Sequence, residues 1–303
     1  MFKSISIGNY KQLQNVSVSF QITDENPTSI LVGDTLSGKR EVLEVIPFLF
    51  GHTPSFQDQS AYYHHRGITL HDKQNMTQTD SIDFTLEFKT NHAISPSFKY
   101  EGGTYGSWIK TNETPATIHP ESLSKVKLYS FTENCINGIN ETCSSGISSS
   151  GVGLLSYIEF TAEHQPEQMG SILGSLMNIF PEITGALVYT KQGNNFEIGE
   201  ICQSRCPQFE SPVFFSMKNG MTYKITHVPM AILTSLACLT VCAAKHTSSL
   251  ILIDEFDQHL DVDRAFKLFC QLEPMAEING KQLILTTSKR EFLMNRNSHY
   301  LEA

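Results

Sequence analysis

The sequence contains no uninterrupted apolar stretch of the roughly 18 residues that a membrane-spanning helix needs, and it does not begin with the basic and then apolar pattern of a secretory signal. We therefore expect a cytoplasmic protein with no membrane contact. It has only seven cysteines, an odd number that is scattered along the chain, so a disulfide framework is not expected. Cys202 and Cys206 form a CxxxC spacing, but no second pair lies at a matching distance to complete a zinc site.

Positive charge is also scarce. The 22 lysines and arginines are outnumbered by 31 acidic residues, which gives a net charge of −9 and no basic patch along the sequence. Such a surface repels phosphate backbones, so direct binding of nucleic acid by this chain alone is not favoured. The 303 residues and their 40% hydrophobic content suffice for one large α/β domain, or for a domain with a smaller attached lobe.

A glycine-bounded loop follows the short apolar run Ser29 to Val32 and precedes a stretch with apolar residues at helical spacing. It matches the phosphate-loop pattern GxxxxGK, whose backbone N–H groups and following helix N-terminus attract phosphate. Its lysine is expected on the β- and γ-phosphates. The alternative is an ordinary glycine-containing turn, but the order strand, loop, helix favours nucleotide. The predicted contacts are Gly33, Asp34, Thr35, Leu36, Ser37, Gly38, Lys39 and Arg40.

Arg40 departs from the phosphate-loop pattern. The residue after the lysine is usually serine or threonine, because its hydroxyl coordinates Mg²⁺. A guanidinium donates hydrogen bonds and cannot coordinate a cation. ATP is therefore the expected cofactor, while Arg40 leaves the binding of Mg²⁺ open.

A second motif places two carboxylates at the end of the apolar run Leu250 to Ile253. At the end of a buried strand in a P-loop ATPase, Asp254 would hold Mg²⁺ and Glu255 would polarise the attacking water. The alternative is a strand that ends in a solvated acidic turn. The distance from the first motif and the following Gln258 to Asp261 favour the functional interpretation.

Several apolar runs alternate with helical patterns, which indicates parallel strands buried on both faces. We predict strands at 250–253 and 282–287, and helices at 154–163, 167–180, 230–244 and 265–272. The expected fold class is therefore α/β, with a mixed central sheet flanked by helices and a small helical lobe. No heptad repeat long enough for a coiled-coil arm is present.

These motifs together resemble a known family. Asp254 and Glu255 followed by His259-Leu260-Asp261 resemble the Walker B and D-loop pair of ABC ATPases, and the segment from Ile7 to Val16 is similar to the first hairpin of RecF-like, SMC-like and OLD-like ATPases. The resemblance implies one ABC ATPase-like P-loop domain over residues 1–303. Its nucleotide-binding lobe would comprise about 1–130 and 245–303, and its helical lobe about 131–244.

Some elements of the family are replaced. The signature motif that contacts the γ-phosphate of the opposite subunit would fall at Val228 to Ala231, where Pro229 supplies neither a hydroxyl nor an N–H group. The expected switch histidine is replaced by Thr287, which cannot act as a near-neutral base. Four glutamines are equally placed for the Q-loop: Gln57, Gln59, Gln74 and Gln78.

The resemblance implies an ATP-binding subunit that hydrolyses ATP slowly and forms a homodimer, or a heterodimer with another ATPase. Such a subunit would regulate an effector protein, a nuclease or a toxin, in antiviral defence or in genome maintenance such as DNA repair. The alternative is a scaffold or assembly protein that keeps the fold but has lost productive nucleotide chemistry.

Overall fold

The computed structural model describes residues 2–10, 12–20, 27–50, 81–88, 93–101, 104–111, 126–131, 147–191, 193, 195–201, 212–245, 247–294 and 298–300. By its internal contacts the chain divides into two compact units. The first comprises Met1–Leu128, Ser248–Leu252 and Gln282–Ala303, and the second comprises Tyr129–Thr247 and Ile253–Lys281. No helix among the described residues is long and apolar enough to cross a membrane.

A largely parallel sheet carries the two sequence motifs. Its strand order is β14-β3-β13-β12-β7, and its strands are β3 (Thr28–Val32), β7 (Lys127–Tyr129), β12 (Leu250–Ile253), β13 (Gln282–Thr287) and β14 (Ser298–Tyr300). Both β13 and β14 pair in parallel with β3. Every residue of β3, β12 and β13 is buried, which confirms the predicted core strands.

A second sheet, β2-β1-β4-β5-β6, begins with the predicted hairpin. Its strands are β1 (Phe2–Tyr10), β2 (Leu13–Ser19), β4 (Ser81–Phe88), β5 (Ala93–Glu101) and β6 (Thr104–Thr111). Helix α1 (Lys39–Phe50) and the hairpin contribute to one core cluster that includes Ile5, Ile7, Val42 and Leu43. The side-chain amide of Gln282 accepts a hydrogen bond from the backbone N–H of Phe2 at 2.8 Å and donates one to the carbonyl of Phe2 at 2.7 Å. These bonds connect the start of β1 to β13.

The second unit contains the helices α2 (Leu154–His164), α3 (Pro166–Ile179), α4 (Met230–Ala243) and α5 (Val262–Ile278). Pro166 is the first residue of α3, a position where a missing N–H costs nothing. Besides the helices, the unit holds an antiparallel sheet, β11-β10-β8-β9, that the sequence did not predict. Its strands are β8 (Ile183–Val188), β9 (Phe196–Gly199), β10 (Val213–Met217) and β11 (Thr222–Lys224).

Helix α5 is longer than the predicted 265–272. It begins earlier because Asp261 caps it, with the carboxylate accepting the backbone N–H of Arg264 at 2.8 Å. It also continues through Pro274 to Ile278. The sequence prediction stopped before the proline, which usually ends or kinks a helix.

A buried lysine closes the carboxyl end of α4. The ammonium of Lys281 donates to the carbonyls of Val241 and Ala244 and, at 2.6 Å, to the hydroxyl of Thr247. Carbonyls in the last turn of a helix have no partner within the helix, so this contact satisfies them. Burial lowers the pKa of Lys281 from 10.5 to about 8, and burial raises the pKa of the neighbouring Cys242 thiol to about 12.

The Lys281→Met substitution tests this cap. Between about pH 8 and pH 10.5 the unfolded chain holds a proton on Lys281 that the folded chain has lost, so the contribution of Lys281 to stability rises with pH. We therefore expect the free energy of unfolding of the wild type to increase relative to that of the variant between about pH 7.5 and about pH 9. The buried Cys242 thiol lowers the stability of both chains as the pH rises above about 9, and this effect largely cancels in the difference between them. Urea unfolding measures the difference.

Lys267→Met, at an exposed position on α5, is the control for the loss of one charge. If the difference in the free energy of unfolding between wild type and Lys281→Met stays constant or falls over this pH range, the pKa of Lys281 is not lowered in the folded chain.

Candidate nucleotide site

The predicted phosphate-loop residues Gly33 to Gly38 form the loop between β3 and α1, and Lys39 and Arg40 are the first residues of the helix. The N–H of Gly33 donates to the carbonyl of Thr287 at 3.2 Å, which fixes the start of the loop to β13. The N–H of Ser37 donates to the carbonyl of Asp34 at 3.0 Å and closes the turn. Helix α1 then begins at Lys39. The N–H groups of a first helical turn have no partner within the helix, and they attract an anion.

Lys39 folds back over its own loop. Its ammonium donates to the carbonyl of Gly33 at 2.6 Å and to that of Asp34 at 2.7 Å, and the residue is only 3% exposed. The hydroxyl of Ser37 is equally buried and has no hydrogen-bond partner. A phosphate oxygen would accept a hydrogen bond from both groups. The residues of the loop therefore fit the phosphates of a nucleotide.

The turn of the β1–β2 hairpin packs against this loop. Gln12 donates from its side-chain amide to the carbonyl of Leu36 at 3.0 Å. Gly38 adopts φ +82°, and a Cβ placed there would overlap the side chain of Leu13. The positive φ favours glycine at residue 38, and a side chain there would also require the buried Leu13 side chain to shift. Sequence reasoning missed Gln12 and Leu13, because nothing in the local pattern connects the hairpin turn with the loop.

Arg40 points along α1. Its Nε lies 2.9 Å from the carboxylate of Glu44, one helical turn away, and its side chain is 59% exposed. Residue 40 therefore supplies no hydroxyl to a metal ion. Its side chain instead forms an exposed i,i+4 ion pair, which contributes little to stability.

Thr287 occupies the predicted switch position at the end of β13. Its carbonyl holds Gly33, and its hydroxyl accepts the N–H of Lys289 at 3.0 Å. Three residues further on, Arg290 opens a 3₁₀ turn (Arg290–Met294) and places its guanidinium 3.0 and 3.1 Å from the two carboxylate oxygens of Asp34. Arg290 is a second contact that the sequence did not reveal, since it lies 256 residues from its partner.

Asp254 and Glu255 belong to the second unit and follow β12, as predicted. Asp254 is 7% exposed, and its N–H donates to the carbonyl of Tyr129 at 2.8 Å. Glu255 is half-buried and has φ +46°, in the left-handed region that residues other than glycine rarely adopt. Such strain is typical of functional sites, where the surrounding structure enforces it.

The turn after Asp254 and Glu255 leads into helix α5, whose first turn is held in place by Arg264. Arg264, in the first turn of α5, forms an ion pair with Glu182 at 2.9 Å and lies 5.2 Å from the centre of the Phe180 ring. Its Nε is also 3.8 Å from the carboxylate of Asp261. These contacts hold the residues that follow Glu255 against the beginning of β8.

The predicted signature position lies at the start of α4. Pro229 is the N-cap residue, with φ −54° and no side-chain hydrogen bond to the helix. The carbonyl of Pro229 accepts the N–H of Ile232 at 3.0 Å, so the helix starts normally. This end of α4 offers neither the hydroxyl nor the extra N–H group that a signature motif uses.

In the part of the chain that the structure describes, no three histidine, cysteine or acidic side chains cluster to hold a metal by themselves. Mg²⁺ at nucleotide sites usually needs only one or two carboxylates, because the phosphates complete its coordination. The residues considered for zinc and for the Q-loop lie outside the described residues: Cys202, Cys206, Gln57, Gln59, Gln74 and Gln78.

No protein-family model and no curated protein matches this sequence. Among solved structures, the SmcHead bound to the C-winged helix domain of ScpA matches over 100% of this chain and 94% of its own, with a TM-score of 0.63 and 12% identity. The chain has an ABC ATPase-like fold. The Smc head domain with an extended coiled coil, bound to the C-terminal domain of ScpA from Pyrococcus furiosus, matches over 97% and 91% of the two chains, with a TM-score of 0.55 and 9% identity.

The likeness to the two Smc heads confirms the predicted fold class. At 9 and 12% identity the likeness extends to the fold alone.

Gly38→Ala tests the packing of the hairpin against the phosphate loop. Both the positive φ and the overlap with Leu13 oppose a side chain, so we expect a loss of at least about 2 kcal/mol in the free energy of unfolding. Gly220→Ala is the matched control, since Gly220 has φ +78° but open space around its Cβ position. It should cost about 1 kcal/mol. Equal losses in thermal or urea unfolding would show that Leu13 does not restrict residue 38.

Proposed function

We propose that this chain is the ATP-binding subunit of an ABC-type ATPase and that it hydrolyses ATP slowly. The observation that carries the proposal is the arrangement of Lys39 and Ser37 at the start of α1. A buried ammonium held by two loop carbonyls and a buried hydroxyl without a partner lie beside a helix N-terminus. That combination suits an anion with several acceptor oxygens.

In this proposal each residue has a separate task. The N–H groups at the start of α1 bind the inner phosphates, and Lys39 moves from the carbonyls of Gly33 and Asp34 to the β- and γ-phosphates. Bound Mg²⁺ would neutralise phosphate charge, with Asp254 as its protein ligand. The carboxylate of Glu255 accepts a proton from the attacking water. Turnover is slow because residue 40 has no hydroxyl for the metal and residue 287 has no imidazole.

The start of α4 supports pairing with a second ATPase chain. In head-to-tail ABC dimers each subunit completes the site of the other with its signature residues. Pro229 cannot do this for a partner's nucleotide, whereas a partner with an intact signature could complete the site at Lys39. A heterodimer therefore suits this chain better than a homodimer held together by ATP on both sides.

The two Smc heads with the same fold are each bound to a domain of ScpA, which supports binding of a further protein by this fold. We propose an effector, such as a nuclease or toxin, whose activity follows the nucleotide state in antiviral defence or genome maintenance. The net charge of −9 gives no support to direct DNA binding by this chain.

The second candidate is a scaffold that keeps the fold without productive nucleotide chemistry. Arg40, Pro229 and Thr287 favour it, because each replaces a group that takes part in catalysis in this family. The intact phosphate-loop geometry and the strained Glu255 favour the ATPase.

Titration calorimetry of ATP into the wild type and Lys39→Ala, with and without Mg²⁺, tests the proposal. We expect micromolar binding by the wild type and a loss of at least about tenfold on removal of the ammonium, which donates charge-assisted bonds to phosphate. Lys191→Ala, which removes one exposed lysine between β8 and β9, is the control and should bind like the wild type. Absence of ATP binding under every condition would overturn the ATPase proposal and leave the scaffold.

Arg40→Ser tests the cause of slow turnover. The new hydroxyl supplies the missing metal ligand, so we expect tighter ATP binding in the presence of Mg²⁺ and faster phosphate release, by about tenfold or more. Arg40→Ala also removes the ion pair with Glu44 but adds no hydroxyl, and it should show neither gain. Glu255→Gln in the Arg40→Ser background should abolish the new turnover. Equal behaviour of the serine and alanine variants would show that residue 40 does not limit the reaction.

A further inference from the structure

The chain places a positive charge beside the phosphate loop where no motif predicts one. We propose that Arg290 binds the terminal phosphate of ATP and that the carboxylate of Asp34 holds its guanidinium when that phosphate is absent. This inference rests on the proposed ATP site and adds a residue that distinguishes ATP from ADP.

The pairing of β3 with β13 brings Arg290 to the loop. Val32 and Thr287 are register partners at the ends of these parallel strands, and Gly33 is hydrogen-bonded to the carbonyl of Thr287. The chain therefore leaves both strands at the same edge of the sheet. Three residues after Thr287, Arg290 reaches Asp34, the second residue of the phosphate loop.

The backbone that carries Arg290 is anchored, whereas its side chain is exposed. Phe292, in the same 3₁₀ turn, is fully buried, and its N–H donates to the carbonyl of Lys289 at 3.3 Å. Lys289 is in turn bonded to the hydroxyl of Thr287 at 3.0 Å. The side chain of Arg290 is 63% exposed, so its guanidinium can change partner by rotation while the turn stays in place.

Asp34 accepts hydrogen bonds from the side chains of Lys39 and Arg290. Its carbonyl accepts from Lys39 at 2.7 Å, and its carboxylate accepts from Arg290 at 3.0 Å. A carboxylate offers a guanidinium the same kind of planar acceptor pair as a phosphate, but with less negative charge. Because an exposed ion pair of this kind contributes little stability, a phosphate group can displace Asp34 from Arg290.

The position of Asp34 in the loop indicates which phosphate Arg290 meets. The N–H groups at the start of α1 lie at the other end of the loop, where the inner phosphates of a nucleotide bind. The Lys39 ammonium extends from that end to the Asp34 carbonyl, and in a phosphate loop this lysine reaches the β- and γ-phosphates. A group beside Asp34 is therefore on the side of the terminal phosphate, which ADP lacks.

Calorimetric titration of ATP and of ADP into the full chain tests the role of Arg290. We expect Arg290→Ala to weaken ATP binding by about tenfold to a hundredfold and ADP binding by less than about twofold. Asp34→Asn, which removes the carboxylate that pairs with the guanidinium, should strengthen ATP binding severalfold. The gain should be absent when Arg290→Ala is added to Asp34→Asn. Lys191→Ala removes the same charge and should leave both affinities unchanged.

Equal loss of ATP and ADP affinity in Arg290→Ala, or no loss of either, would overturn the role of Arg290 while leaving the nucleotide site intact. Absence of ATP binding by the wild type would overturn the proposed function, and this inference with it. Arg290→Gln, which keeps most of the side chain's length without its charge, repeats the test if Arg290→Ala does not fold. Circular dichroism of each variant separates loss of folding from loss of binding.

Discussion

The parallel pairing of β3 with β13 is the constraint on which the candidate site depends. Two fully buried strands, about 250 residues apart in sequence, are held in a register that sets Val32 opposite Thr287. The N–H of Leu283 donates to the carbonyl of Pro27 at 3.0 Å and the N–H of Gly33 donates to the carbonyl of Thr287 at 3.2 Å, so hydrogen bonds just outside both ends of β3 hold this register. The start of the phosphate loop and the turn that carries Arg290 are thereby brought to one edge of the sheet.

The sequence predicted the parts of the site that local patterns encode. The apolar runs of β3 and β12, the glycines around the loop and the acidic pair each lie within a few residues of one another, so periodicity and turn chemistry sufficed. The contacts of Gln12 with Leu36 and of Arg290 with Asp34 span 24 and 256 residues, and no local pattern reports them. Helix α5 extends beyond the predicted 265–272 at both ends and continues through Pro274, a residue with a strong local preference against helix interiors.

Thr287 and Pro229, where the sequence departs from the ABC ATPase pattern, lie where the backbone and not the side chain maintains the fold. Thr287 holds Gly33 through its carbonyl, which any residue could supply. Pro229 starts α4 with φ −54°, an angle that proline adopts without strain. The side-chain chemistry at both positions can therefore change while the architecture persists. Such a separation allows a chain with 12% identity to an Smc head to share its fold.

The left-handed backbone at Glu255 has a consequence for which sequences this fold accepts. Glycine or asparagine would relax that angle and stabilise the turn by about 1 kcal/mol or more. Selection for thermal stability alone would thus remove the glutamate, while selection for a carboxylate at this position would retain it. Residue 255 is a position where stability and the proposed chemistry favour different amino acids, and a library of variants sorted only for folding would lose the carboxylate.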